Sequence, residues 1–390
     1  MTARDGKGTP AVSATALDEL DIASSLPVGV TPVGLTPETG SPVRALEQAC
    51  LTAVRRAPCA VSFSGGRDSS LVLATAVRVA RREGLPDPVP VTLVVPEAPA
   101  SAEAEWQELV VRSLRLTEWV RLVLPIEELE LLGPRGTRVL LDAGLLYPPN
   151  AYLHEPIAEA VPGGSLLTGM DGDGLMDGFR RATAPRRAIL AVTPKAVVRH
   201  RARRLARPTA WLEPTARERW VAGAAAADSV RPRRWDRWLG WYAGQRYLPL
   251  AISALDAVGR MHGAVVRHPL LDRPLLAALA AAGRRRGLGG RRDLLALLAD
   301  GDLPPALLAR KSKAQFDEVI WGPATRAWVA QDAEWSVPMV DAERLREEWR
   351  RDVPDARSCL PLQAAWLSSR LSTASRANDT PTAPRVAPTT

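Results

Sequence analysis

Hydrophobic positions change their spacing twice along this chain. From residue 41 to about 180, short apolar and β-branched runs alternate with stretches in which apolar residues recur every three or four positions. Ala57–Phe63, Val89–Val95, Val120–Pro125 and Ser165–Thr168 predict strands, the last after a Pro-Gly-Gly turn. Asp68 to about Arg82 and Ala102–Leu116 predict helices. Strands alternating with helices imply βαβ units, and so an α/β fold: a parallel sheet with helices on both faces. Ligands of such sheets bind at the carboxyl ends of the strands. From about 185 to 370 no segment reads convincingly as a strand. Arg186–Ala206, Ala216–Ala227, Arg234–Ala243, Leu250–His262 and Leu271–Ala282 all predict helices, which gives an all-helical C-terminal region.

The ends differ from the middle. Residues 1–40 are rich in Thr, Pro, Gly, Ser and Ala and predict a flexible arm that docks, if anywhere, at Leu20 or Leu26. The expected order is then this arm, an α/β domain over 41–185, a helical part over 186–372, and a tail at 373–390 that is disordered by composition.

Composition narrows the function. With 46% hydrophobic and 24% charged residues among 390, the middle of the chain can build a substantial core. A formal net charge of +8 raises nucleic acid as a partner. Against that, the cations are nearly all Arg, acids are numerous, and no basic run alternates with aromatics, so a nucleic-acid partner is not expected. Three cysteines (Cys50, Cys59, Cys359) without a C-x-x-C pair argue against disulfides and structural zinc, and four scattered histidines argue against a transition metal. No apolar run reaches the ~18 residues of a membrane span, so a soluble, cytoplasmic protein without membrane contact is expected. Most of the twelve Trp fall in the helical region and are read as core packing.

The strongest chemical signal is Ser64-Gly65-Gly66-Arg67-Asp68-Ser69-Ser70, between a predicted strand and a predicted helix. Two glycines allow positive φ and remove side chains, so backbone N–H groups can converge on phosphate oxygens. The helix N-terminus adds unpaired N–H donors and partial positive charge. Ser64, Ser69 and Ser70 add hydroxyls, and Asp68 makes sense there as a holder of Mg²⁺ bridging the phosphates. The plainer alternative is a strand-to-helix turn whose Asp and Ser only cap the helix. The string is not a Walker A motif, because no Gly-Lys-Ser/Thr ends it. A second Gly-rich string, Thr168-Gly169-Met170-Asp171-Gly172-Asp173-Gly174, follows the fourth predicted strand. It places Asp173 where it could join Asp68 around Mg²⁺, or simply make an Asp-Gly turn. Lys311 and Lys313 stand together in a chain with only four lysines, and an ammonium can neutralise charge that builds on a pyrophosphate.

The first string resembles the PP-loop of the ATP pyrophosphatase superfamily, which implies ATP, cleavage between its α- and β-phosphates, and adenylation of an acceptor. Further motifs resemble the synthetase domain of the asparagine synthetase family: Thr168–Gly174 running to Asp177-Gly178-Phe179, then Arg267-His268-Pro269-Leu270-Leu271-Asp272, then Leu303-Pro304 followed by Lys311-Ser312-Lys313-Ala314-Gln315-Phe316. The order and approximate spacings agree from about 45 to 370. The resemblance makes Lys313 the catalytic lysine, assigns Asp173 to the same chemistry, and puts Ser64, Gly65, Gly66, Asp68, Ser69, Ser70 and Gly169 around the nucleotide, with Asp68 and Asp173 on magnesium. Arg267 and Asp272 either join the site or brace helix against sheet.

Several positions depart from the family pattern. Met170 stands where the family has a Glu that handles a proton or amine, Gly174 where it has a second Glu, and Lys311 where it has an arginine. Thr2 follows Met1 where full asparagine synthetases carry a glutamine-hydrolysing Cys, so no glutaminase activity is expected. The resemblance implies an ATP-dependent amide-forming ligase acting on a small-molecule or peptide carboxylate. Its amine would come as free ammonia, from a separate glutaminase, or from the substrate itself. The last route is that of the β-lactam synthetases and lasso-peptide cyclases, which the chain also resembles and for which a precursor peptide and its processing proteins would be partners. Rival readings are a catalytically retired ATP-binding partner protein, suggested by Met170 and Gly174, and a PP-loop tRNA-modifying enzyme, suggested by the net charge. Leu145–His154 is a candidate lining of the acceptor pocket or a structural loop.

Overall fold

The computed structural model describes residues 16–36, 40–99, 103–183, 199–200, 202–204, 209–310, 317–331 and 333–378. Four strands form inside the predicted runs: β1 Cys59–Ser62, β2 Val89–Val94, β3 Val120–Val123 and β4 Ser165–Leu167. A fifth, β5 Val265–Arg267, completes a sheet of order β3-β2-β1-β4-β5, parallel throughout. β1 is central. Ala60 lies beside Val89 on one side and Leu166 on the other. The chain leaves β1 toward β2, while β4 and β5 build outward the other way. The carboxyl end of β1 is therefore a point where the strand order reverses, the place where open α/β sheets open a crevice for ligands.

Side chains alternate across β1, as pleated backbone requires. Cys59, Val61 and Phe63 enter a core layer with the helix Arg67–Arg82 and the later helices Trp235–Ala243, Arg273–Gly283 and Arg291–Ala299. Ala60 enters the opposite layer, with Ile157, Leu255, Val258 and Leu362. Buried on both faces, β1 reads as a continuous apolar run. Trp235 and Trp238 stack at 5.4 Å between ring centroids, and Trp235 Nε1 donates to the Leu279 carbonyl at 3.0 Å, so these rings serve packing. Among the described residues no helix is long and apolar enough to cross a membrane.

Three expectations need correction. The region after 185 supplies a strand: β5 has only Val266 fully inside, where the equally short β4 is buried throughout, so it leaves no apolar run in the sequence. One core layer combines Leu71 and Leu73 with Trp238, Leu275 and Leu294, so the α/β part and the helical part share a core. Residues 16–36 of the arm are packed rather than loose. The helix Glu19–Ser24 is closed by a reciprocal cap, Asp21 N–H to Asp18 Oδ1 at 2.8 Å and Asp18 N–H to Asp21 Oδ2 at 3.1 Å. Trp211 and Trp220 donate from Nε1 to the carbonyls of Ala23 and Leu26, both at 2.8 Å, and Leu20 and Leu26 lie against Trp220 and Val221. At the other end the helix Cys359–Asn378 continues past 373. Residues 1–15, 37–39 and 379–390 lie outside the described residues, as does most of the predicted helix Arg186–Ala206.

Candidate functional site

The loop after β1 is built by its own hydroxyls and by two elements that pack on it. Gly65 has φ +80°, and a Cβ there would lie 2.7 Å from Gln107 Cγ, so this position needs glycine twice over. Gln107 Nε2 donates to the Ser64 carbonyl at 3.0 Å. Ser64 and Ser69 hydroxyls meet at 3.2 Å, and Gly66 N–H donates to Ser64 Oγ at 3.2 Å. Gly66 is the N-cap of the helix Arg67–Arg82 and gives it no side-chain cap. The first turn of a helix carries N–H groups with no partner inside the helix and partial positive charge, which makes this helix start a candidate anion site. Ser70 is fully buried, and its hydroxyl has no hydrogen-bond partner.

The second Gly-rich string folds against the first. A Cβ at Gly169 would stand 2.6 Å from Ser69 N, and one at Gly172 would stand 2.4 Å from Asp68 Cγ. These close approaches explain the glycines in physical terms. They bring the loop after β4 up to the loop after β1. Asp173 lies in the first turn of the helix Gly172–Thr183, not in an irregular loop, with Asp177 one turn on.

What joins these carboxylates is a residue that sequence reasoning missed. Arg291, 10% exposed, begins the helix Arg291–Ala299 and places its guanidinium between them. Nη2 donates to both oxygens of Asp68 at 2.9 Å, while Nη1 donates to Asp173 and, at 3.3 Å, to Asp177 Oδ2. Burial lowers the pKa of Arg291, and the Asp68 carboxylate opposes that shift. In a chain so rich in arginine, nothing local singles out one partner 223 residues from Asp68.

Asp171 is treated differently. It has φ +56°, in the left-handed region. Tyr242 and Tyr247 donate to its Oδ2 at 2.5 and 2.8 Å. Burial raises its pKa, and the two phenol hydrogen bonds hold the rise in check. A Cβ at Gly174 would lie 2.6 Å from Asp171 Oδ2, so the glycine makes room for the carboxylate. Tyr147 is pushed up to about 12, first by burial and then by the Asp171 charge, which puts the start of the Leu145–His154 segment beside this cluster. Tyr152 is structural: it is buried and donates to the Leu129 carbonyl at 2.8 Å. Met170 packs with apolar residues.

The downstream motifs also reach the sheet end. His268 Nδ1 lies 2.7 Å from Thr168 Oγ1, and burial pushes the ring down to about 4, so it is neutral. Arg267 contributes its carbonyl to Thr168 N–H at 3.0 Å, while its guanidinium turns back to the Val266 carbonyl. Asp272 is the N-cap of the helix Arg273–Gly283. Lys313 and Lys311 lie outside the described residues. Arg310, just before them, is bound to the phosphate loop: its Nη1 donates to the Gly65 carbonyl and to Glu103 Oε2, both at 2.9 Å, and its own carbonyl accepts from Arg67 Nη1 at 2.9 Å.

Carboxylate oxygens are the donors magnesium takes, and Asp68 and Asp173 converge on one cation, so the pair fits magnesium by type and by placement. Among the described residues no group of three or more His, Cys, Asp or Glu is arranged to hold a metal alone.

A parallel sheet with a Gly-Ser loop leading from its central strand into a helix is the layout of the PP-loop class of α/β proteins. The sequence model of asparagine synthase matches residues 44–370, and the chain belongs to that family, the synthetase domain within the PP-loop superfamily. The family is one of ATP-using carbon–nitrogen ligases of the asparagine synthetase type. No curated protein matches the chain.

Proposed function

We propose that this protein activates a carboxylate with ATP and passes the acyl group to an amine. The observation that carries the reading is the uncapped helix start behind Ser64–Gly66, with Asp68 and Asp173 facing each other at its rim. The acceptor carboxylate oxygen attacks the α-phosphorus, the bond to the β-phosphate bridge breaks, and pyrophosphate leaves. The amine nitrogen then forms the C–N bond while the C–O bond to AMP breaks, and the nitrogen gives up a proton. Loop N–H groups orient the polyphosphate. Asp68 and Asp173 are the residues that would hold magnesium, which when bound neutralises phosphate charge. Lys313 is assigned by family likeness to the charge that develops at the adenylate. Burial beside Tyr147 suits the Asp171 cluster to the wall of the acceptor side.

The amine is taken to be ammonia, supplied free or by a separate glutaminase, or a group on the substrate, as in a precursor peptide closed into a ring. Exchange of labelled pyrophosphate into ATP tests the reading, with L-aspartate as first acceptor and a panel of amino-acid and peptide carboxylates after it. Acceptor-dependent exchange supports the ligase. Nucleotide binding without exchange under every acceptor supports the retired ATP-binding reading, which Met170, packed among apolar residues where the family has an acid, favours.

A further inference from the structure

Arg291 is placed as few arginines are. The turn Gly287-Leu288-Gly289-Gly290 delivers it: φ is +80° at Gly287 and +92° at Gly289, and Asp293 Oδ2 accepts from Gly290 N–H at 2.7 Å. Its guanidinium thus enters the crevice on a fixed helix start, at the rim of the phosphate loop, with Asp68 on one side and Asp173 and Asp177 on the other. Both terminal nitrogens are committed to carboxylates, while Nε is buried with no hydrogen-bond partner. A planar fork with one donor unused, beside a helix N-terminus, suits phosphate oxygens at least as well as it suits three carboxylates.

Two cations then have claims on the same oxygens. Metal held by Asp68 and Asp173 needs the lone pairs that Arg291 engages, and a buried guanidinium cannot lose its partners without a replacement. Polyphosphate brings that replacement. We propose that Arg291 is a polyphosphate-binding residue, which exchanges carboxylate oxygens for phosphate oxygens when magnesium–ATP enters. This assignment rests on the proposed ATP site. It makes the bridge between Asp68 and Asp173 a holding arrangement that keeps both carboxylates aimed at one point, and it makes metal and nucleotide binding mutually dependent.

The test uses the full chain with Arg291→Gln and Arg291→Lys, each checked by thermal melting. Free Mn²⁺ binding is followed by electron paramagnetic resonance without nucleotide. Affinity for α,β-methylene-ATP with Mg²⁺ is measured by calorimetry. The two readouts should move in opposite directions in Arg291→Gln: Mn²⁺ binds about tenfold tighter because the competitor is gone, and the nucleotide binds about tenfold weaker because a charged fork is lost. Arg291→Lys should recover part of the nucleotide affinity and part of the competition with Mn²⁺, and Arg291→Met, also without a charge, provides the same pair of readings if the Gln variant does not fold. A merely structural brace would weaken both. Unchanged or weaker Mn²⁺ binding overturns the competition, and unchanged nucleotide affinity overturns the phosphate role. Wild-type protein that binds no nucleotide at all removes the ATP reading instead, which keeps the two failures apart.

Discussion

Asp171 and Asp173 are two residues apart, yet the fold neutralises them by different means. Asp173 faces a guanidinium shared with Asp68 and Asp177, whereas Asp171 faces two phenols and no cation among its hydrogen-bond partners. A charge-paired carboxylate can trade one cation for another. A carboxylate held only by hydrogen bonds in a buried place has its pKa raised and is poised nearer to neutrality. The glycines make room for both: Gly172 clears the space beside Asp68 and Gly174 the space beside Asp171, which itself has φ +56°. One side of the loop is thus suited to phosphate and metal, the other to an uncharged or proton-bearing partner.

The largest break in this comparison should come from Asp68→Asn. It leaves shape intact but removes half of the cation-binding pair, and pyrophosphate exchange should fall by roughly a hundredfold or more, the scale seen when one preorganised charge is removed from a reacting site. Asp171→Asn, measured beside it, should fall less, because no cation depends on that carboxylate. A loss in Asp171→Asn equal to that in Asp68→Asn would erase the distinction between the two sides.

The glycines sharpen it further. Gly172→Ala drives a methyl against Asp68 and should lower nucleotide affinity. Gly174→Ala drives one against Asp171 and should leave nucleotide affinity near wild type. Each should cost about 1–3 kcal/mol of stability from overpacking, read from urea melts, with nucleotide affinity read by calorimetry.

Tyr242→Phe removes one of two hydrogen bonds to Asp171, at a cost of about 1–2 kcal/mol near pH 7. The sign of its pH dependence follows from linkage. The phenols lower the Asp171 pKa, so their loss raises the folded value further above the ordinary 3.8. The folded state then holds a proton that the unfolded chain releases as pH rises past that value. Stability relative to wild type therefore declines through the window above 3.8, and the deficit shrinks below it. Melting temperatures of both proteins between pH 4 and 7 would show this, and a pH-independent difference would contradict it.

His154 provides the third and smallest case, a buried ionisable group neutralised by neither cation nor phenol. Burial pushes it down to about 4 from 6.5, and its Nδ1 has no partner. The unfolded chain takes up a proton below about 6.5 that the folded protein refuses until about 4, so stability is lost progressively through that window. His154→Gln should remove about 1 kcal/mol of the loss seen between pH 7 and 5.5, measured as the difference in acid melting curves.

The sequence carried the α/β frame and the phosphate loop because both are local. Strand runs of three to six residues, and a Gly-Gly turn flanked by hydroxyls, leave their marks on adjacent positions. β5 was illegible because only Val266 of its three residues is buried, whereas all three of the equally short β4 are, and the helix Glu19–Ser24 because a single capped turn is masked by the Pro and Gly around it. Arg291 was illegible for a different reason. Its meaning comes from residues 118 and 223 positions away, and in an arginine-rich chain its type carries no signal. Asp171 lies one residue past Met170, where the family has a Glu, and a one-residue shift redirects a side chain. The structure shows that redirection and the two tyrosines that receive it.

The central claim is that the amides behind Ser64–Gly66, together with Asp68, grip the polyphosphate of ATP. Calorimetric titration of the wild-type chain with ATP in millimolar Mg²⁺ tests it directly. The account predicts saturable one-to-one binding that disappears when Mg²⁺ is chelated and is lost in Asp68→Asn. No heat in the wild type, or equal binding in Asp68→Asn, would contradict it.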